Sequence, residues 1–290
     1  MPDGPHTLVL GIAQDAGYPQ AGTKRSPAWE DVSLRRLATC LALIDPRSGR
    51  RWLIDATPDF KEQLHRLDVA APDPRLPGLD GIFLTHAHIG HYTGLIHLGR
   101  EAIGARDLPV YAMPRMAQFL RNNGPWEQLV TLRNISIQPL RDRAPIMLAP
   151  DITVTPLSVP HRDEYSETVA LRIAGPGRTV LFVPDINGWD DWETMGVRIE
   201  VLLATVDIAY LDGTFLSAGE LPGRDLREIP HPLIASSIER FSRLPPAEQA
   251  KIRFIHLNQS NPLIRDDAEA LGDLRELGFN VAREGETVEL

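Results

Sequence analysis

The sequence predicts an α/β protein whose strand ends converge on one site. Three observations carry this. The first is the stretch Leu84-Thr85-His86-Ala87-His88-Ile89-Gly90-His91-Tyr92-Thr93-Gly94-Leu95, which holds three of the nine histidines within six consecutive positions. It follows the apolar run Gly81-Ile82-Phe83-Leu84 and precedes Thr93-Gly94-Leu95-Ile96-His97-Leu98. It therefore reads as the loop between a buried strand and a helix, where open α/β sheets usually bind ligands. The second is that Asp55, His86, His88, His161, Asp185, Asp212 and His256 all follow apolar strands. A single strand-terminal aspartate is commonly a turn former or cap, and a single histidine is commonly structural; their joint occurrence points to a site. The third is that the second half repeats the grammar of the first, a hairpin and then strands separated by helical stretches.

Thr7 to Ile12 reads as the first strand, running into Ala13-Gln14-Asp15-Ala16-Gly17-Tyr18-Pro19-Gln20, a loop punctuated by Gly and Pro. The polar stretch with Pro27 and Trp29 reads as a short helix or an ordered loop. Leu41 to Ile44 pairs with Arg51 to Asp55, because Asp45-Pro46-Arg47-Ser48-Gly49 supplies turn residues. Pro58 starts a helix to about Leu67, with Phe60, Leu64 and Leu67 on one face. A Pro-rich connector, Pro72 to Pro77, leads to the histidine strand. A helix beginning near His91, a strand over Val110 to Ala112 and a helix over Arg115 to Asn122 follow, the last stopped by Asn123-Gly124-Pro125. Ile152 to Val159 is a strand ending at Pro160-His161. Thr168 to Ile173 and Thr179 to Val183 form a hairpin turned by Gly175-Pro176-Gly177, and its second arm ends at Pro184-Asp185. Asp207 to Leu211 ends at Asp212-Gly213, and Arg253 to Ile255 ends at His256. Helices fill Trp192 to Thr205, Leu233 to Ser242 and Asp267 to Leu277.

Composition bounds the function. The 290 residues, 43% of them hydrophobic, suit an ordinary globular protein, read here as one domain over 1–290. A net charge of −9 argues against a nucleic-acid surface, which needs a basic face. The single cysteine, Cys40, excludes an intrachain disulfide and reads as a buried strand residue rather than a nucleophile. No apolar run approaches the roughly 20 residues of a membrane span, and no signal segment is visible, so a cytoplasmic location is expected.

The histidine spacing suits a metal. Neutral imidazole ligates zinc, iron and similar ions. In an extended segment His86 and His88 point the same way, and a turn after Gly90 brings His91 back toward a neighbouring position. The order Asp55, His86-x-His88-x-x-His91, His161, Asp185, His256 resembles the metallo-β-lactamase superfamily over most of the chain. That resemblance implies an αββα sandwich, two mixed sheets flanked by helices. It implies His86, His88 and His161 on a first metal, Asp185 bridging, His91 and His256 on a second, and Asp55 behind them, hydrogen-bonding the histidine loop. The usual motif is His-x-His-x-Asp-His, and here the Asp position is Gly90. One zinc is therefore expected to bind firmly and a second weakly, unless Asp15 or Asp59 fills the gap; iron and manganese are alternatives.

A narrower resemblance is to the coenzyme PQQ synthesis protein B family. It rests on Leu10-Gly11-x-Ala13, Gly17-x-Pro19-Gln20, Ile54-Asp55-Ala56-x-Pro58-Asp59, Pro184-Asp185-Ile186, Asp212-Gly213-Thr214-Phe215 and His256-x-Asn258-x-x-Asn261-Pro262. Two departures stand out: the cysteines that family often carries near the N-terminus are missing after Gln20, and the central histidines it often lacks are present. The expected activity is a metal-dependent hydrolase acting through metal-activated water on a small-molecule ester, lactone, amide or phosphodiester, with Asp185 and His256 as catalytic residues. The alternative is an iron-dependent oxygenase-type enzyme in PQQ-like cofactor biosynthesis. Asp15, Asp59, Asp212, Thr214, Phe215, Asn258 and Asn261 are candidates for the substrate pocket, although Asp-Gly is also a turn pair and the asparagines are also potential helix caps.

Overall fold

Two seven-stranded sheets lie face to face in the computed structural model, which describes residues 2–220, 223, 229–266 and 268–290. In chain order the strands are β1 (His6–Gly11), β2 (Cys40–Asp45), β3 (Arg50–Ile54), β4 (Gly81–Phe83), β5 (Leu108–Ala112), β6 (Ile135–Pro139) and β7 (Ile146–Ala149). They continue as β8 (Ile152–Val159), β9 (Thr168–Ala174), β10 (Thr179–Val183), β11 (Ile208–Asp212), β12 (Ile252–Ile255), β13 (Asn280–Val281) and β14 (Thr287–Glu289). The first sheet runs β14-β1-β2-β3-β4-β5-β6 and the second β13-β12-β11-β10-β9-β8-β7. Each is built on an antiparallel hairpin, β2/β3 or β9/β10, whose second arm starts a parallel run: β3 to β6 in one sheet, β10 to β13 in the other. Parallel neighbours send their C-terminal ends the same way, so the loops after β3 and β4, and after β10, β11 and β12, emerge together.

Side-chain alternation divides the core. On β2 and β3, Leu41, Leu43, Trp52 and Ile54 enter the core shared with the second sheet, while Cys40, Ala42, Ile44 and Leu53 enter a separate one beneath helices. Those helices are α1 (Phe60–Ala70), the single turn α2 (Ile89–Tyr92), α3 (Pro114–Asn122) and α4 (Trp126–Thr131). Phe60 and Leu67 of α1 are fully buried there, worth about 1.5–3 kcal/mol each. The second sheet is flanked by α5 (Trp189–Thr194), α6 (Ile199–Leu203), α7 (Ile234–Phe241), α8 (Pro246–Gln249) and α9 (Glu269–Glu276). Trp192, Ile199, Phe241 and Leu271 pack from this side.

Several elements differ from the sequence expectation. The helix expected over Trp192 to Thr205 is two helices, α5 and α6, because Gly196 adopts φ +82° between them. The stretch from Thr93 to Leu98 is a 3-10 helix following α2. The stretch at Pro27–Trp29 is a short helix as expected, of the 3-10 kind and capped by Ser26. The helix after Pro58 begins at Phe60 and runs to Ala70. Asp267 lies outside the described residues, and α9 begins at Glu269. Strands β6, β7, β13 and β14 and helix α4 carry no clear sequence signal. Cys40 is a buried strand residue, and burial pushes its thiol well above the usual range. Among the described residues no helix is long and apolar enough to cross a membrane.

Candidate metal centre

Strand β4 ends at Phe83, and the loop beyond it carries His86 and His88 to the edge where β8 delivers His161 and β10 delivers Asp185. Ligand atoms of these four lie within 4.8 Å of one another. Each ring is held by its other nitrogen. The Thr85 hydroxyl donates to Asp55 at 2.9 Å, so His86 Nδ1, 3.0 Å from that oxygen, is the donor to it and Nε2 is left bare. His161 donates from Nδ1 to Asn187 Oδ1 at 3.2 Å, again leaving Nε2. His88 is reversed: its Nε2 lies 3.4 Å from Glu164 Oε2, so its bare atom is Nδ1. The three bare nitrogens meet: His88 Nδ1 is 2.9 Å from His86 Nε2 and 3.3 Å from His161 Nε2. Lone pairs this close repel unless a proton or a cation lies between them. Burial disfavours the proton, holding His86 well below the ordinary imidazole pKa, lowering His88, and taking His161 to about 4. The spacing suits a cation, since tetrahedral bonds of about 2.0–2.1 Å put neighbouring nitrogens roughly 3.3 Å apart.

Asp185 is the hinge to a second group. Its Oδ1 lies 3.5 Å from His161 Nε2, while its Oδ2 lies 3.1 Å from His91 Nε2 and 3.3 Å from His256 Nε2. His91 donates from Nδ1 to Asp55 Oδ2 at 2.7 Å. His256 is held by Thr214 Oγ1 at 3.0 Å, and that hydroxyl in turn donates to Asp212 Oδ1 at 2.8 Å. Asp15 closes the group, with Oδ1 3.4 Å from His91 Nε2 and 3.9 Å from His256 Nε2. Burial works against ionisation of Asp15 and Asp185, but the surrounding histidines hold both carboxyls well below the usual range. Burial likewise works against charge on His91, yet Asp55, Asp185 and Asp15 raise its pKa well above the ordinary value. Asp15 Oδ1, His91 Nε2, Asp185 Oδ2 and His256 Nε2 are all buried without a hydrogen-bond partner among the described residues. Unpaired buried polar atoms are costly, and four facing one another fit a metal ion.

Of the two carboxylates that could fill the gap at Gly90, Asp15 stands beside the second group, whereas Asp59 accepts from the Ala38 amide at 2.8 Å. Most of the proposed pocket residues are engaged inside the protein. Asp212 and Thr214 orient histidines, Phe215 is buried, and Asn258 donates to Gln14. Asn261 caps a 3-10 turn through Leu263 N at 3.0 Å and donates to Gly213 O at 2.8 Å.

One residue was missed. His231 donates from Nδ1 to Asp212 Oδ2 at 2.7 Å, and it has a ring nitrogen within 4.8 Å of ligand atoms of Asp185 and His256. Burial disfavours its charge, but Asp212 outweighs this and raises its pKa. It sits between Pro230 and Pro232 with no apolar run before it in the sequence, so the strand-end pattern does not find it.

The sequence profile described as "Beta-lactamase superfamily domain" matches residues 50–257, from the hairpin to just past His256. The chain belongs to the beta-lactamase superfamily. Within it, the chain is 25% identical over 303 aligned residues to the coenzyme PQQ synthesis protein B of Xanthomonas axonopodis pv. citri, covering 96% of this chain and 97% of that protein. The structure of zinc-bound PqqB from Methylobacterium extorquens matches with a TM-score of 0.79 at 22% identity, over 98% of this chain and 100% of that one. A diphosphatase from the PhnP family matches with a TM-score of 0.66 at 20% identity, over 99% and 97%. Both likenesses are in fold: two mixed sheets flanked by helices in the metallo-β-lactamase arrangement.

Proposed function

We propose that this superfamily member is a metal-dependent hydrolase acting through metal-activated water on a small-molecule ester, lactone, amide or phosphodiester. The observation that carries the reading is the meeting of bare, buried ring nitrogens around Asp185, with the His231–Asp212 pair beside them. When bound, a divalent metal lowers the pKa of its water from 15.7 to roughly 7 and polarises the substrate's carbonyl or phosphoryl oxygen. The chain's own residues hold and orient. His86 Nε2, His88 Nδ1 and His161 Nε2 form the neutral face of the site, and Asp185 supplies its negative charge and accepts a hydrogen bond that aims the attacking water. His231, fixed by Asp212, is placed to give a proton to the leaving group. The nitrogen-rich donor set suits zinc, and it admits iron or manganese. The net charge of −9 favours a small molecule over nucleic acid.

The test is turnover by protein loaded separately with zinc, iron(II) and manganese(II), against aryl phosphodiesters, esters, lactones and amides. Hydrolysis of at least one class should fall to the metal-free background in His86→Ala, and by about 10²–10⁴-fold in His231→Ala. Turnover that survives His86→Ala, or none with any metal, overturns the reading. A second reading is favoured by the near-complete span of the PQQ synthesis protein B relatives: an iron-dependent oxygenase-type enzyme in PQQ-like cofactor biosynthesis. A site of histidines and a carboxylate with open positions suits iron(II) and oxygen. Iron-dependent oxygen consumption with a quinone-like or peptide-derived substrate, and no hydrolysis, would select it.

A further inference from the structure

We infer that Asp15, on the loop after β1, supplies the carboxylate that position 90 lacks and completes a second metal site with His91, His256 and Asp185. The inference rests on the metal-centre reading above and adds a ligand and a stoichiometry to it.

Gly90 and Asp15 occupy one space. A Cβ built on Gly90 would lie 2.2 Å from Asp15 Oδ1, 2.4 Å from its Cα and 2.9 Å from its Cβ. No side chain fits at position 90 while Asp15 is in place. Glycine there is therefore the condition for a carboxylate to enter from another element. The entering oxygen is directed at the right atoms. Asp15 Oδ1 is buried and unpaired, and it faces the unpaired Nε2 atoms of His91 and His256, two side chains only 1% exposed.

The loop is fixed rather than draped. Gln14 N donates to Leu257 O at 2.8 Å, and Gly17 N donates to Gln14 O at 2.9 Å, closing a turn around Asp15. Leu257 N donates to Ile12 O at 2.8 Å, and the Asn258 side chain donates to the Gln14 side chain. Residues 12 and 14 are thereby clamped to residues 257 and 258, next to the ligand His256. This assigns a purpose to Asn258: it positions the Asp15 loop. With Asp15 and Asp185 both present, the second site has two carboxylates and two imidazoles, a complete four-ligand set for a divalent ion.

The test is metal content and affinity, read by elemental analysis and chelator competition on the full chain, independent of any substrate. Wild type should saturate at about two metals per chain, as two-metal sites do. Asp15→Ala should saturate at one, with second-site affinity falling by more than the roughly 10–100-fold that losing an outer hydrogen-bond partner costs. Gly90→Asp alone should also lose the second metal, because it displaces the Asp15 loop. The double exchange Asp15→Gly with Gly90→Asp should restore about two, which separates a ligand role from a folding defect. The inference is overturned if Asp15→Ala binds two metals with wild-type affinity, or if the double exchange binds no better than Gly90→Asp. One metal in wild type, lost in His86→Ala and unaffected by Asp15→Ala, also overturns it while leaving the hydrolase reading intact; no metal in any form removes both.

Discussion

Asp55 and Asp212 do the same work in the two halves of the chain. Each is fully buried where a strand meets its loop, and each accepts from a threonine hydroxyl, Thr85 or Thr214. Each of those hydroxyls in turn holds Nδ1 of a site histidine, His86 or His256, at 3.0 Å. Each aspartate also takes an Nδ1 proton directly at 2.7 Å, from His91 or His231. Replacing Asp55 by alanine strands the Thr85 amide, its hydroxyl and His91 Nδ1 in a buried place. Buried donors left unpaired cost about 1–3 kcal/mol each, so metal-free Asp55→Ala should lose about 3–5 kcal/mol in urea unfolding. Metal affinity should fall about 10–100-fold. An unfolding midpoint equal to wild type would show that Asp55 does not hold the loop. His161, Asp185 and His256 were legible in the sequence because they follow apolar strands, and His86, His88 and His91 because they cluster on the loop after one. His231 was not, because its place depends on a hydrogen bond to an aspartate nineteen positions away rather than on a local pattern.

At the scale of elements, the histidine loop is set by what lies under it. Ala56 N donates to His91 O at 2.9 Å and Gly94 N donates to Ala56 O at 2.8 Å, stitching the loop after β4 to the loop after β3. The approach is close enough that a Cβ on Gly94 would lie 2.2 Å from Thr57 O and 2.6 Å from Phe60 Cβ. Gly94→Ala should therefore push the 3-10 helix away from α1, costing about 1–3 kcal/mol as overpacking does. The same shift should weaken metal binding, because His91 moves with that helix. Calorimetry with and without metal checks both, and wild-type stability with wild-type metal affinity would refute the stitching. The elements legible beforehand were the ones with strong local chemistry. Asp-Pro and Gly-Pro-Gly turns announced the two hairpins, and Asn123-Gly124-Pro125 announced the end of α3. Strands β13 and β14 have two and three residues, too few for a period, and β7 exposes Met147, so its apolar residues do not mark a buried face. Gly196 split a helix that its apolar residues alone had made continuous.

At the scale of the whole molecule, the site is a joint between sheets. His86, His88 and His91 come from loops of the first sheet, and His161, Asp185 and His256 from strand ends of the second. The resemblance read from the sequence extended to this architecture because it lies in the order of ligand residues along the chain. What it could not show was that the loop after β1 reaches across to the end of β12, a pairing of residues some 240 positions apart. Because a bound metal bridges groups that are apart in the unfolded chain, it stabilises only the folded state. Free metal at about 100 times its dissociation constant adds about 2.7 kcal/mol. For a chain of this size that corresponds to a rise in Tm of roughly 4–5 °C. Stripping the protein with a chelator should lower Tm by that amount, and adding back zinc should restore it. In His86→Ala the metal-dependent part should shrink, while the metal-free Tm changes far less than in Asp55→Ala, since a neutral ring is lost rather than the acceptor of a buried network. A Tm that ignores both chelator and zinc would mean that the converging ligands do not hold a metal across the two sheets.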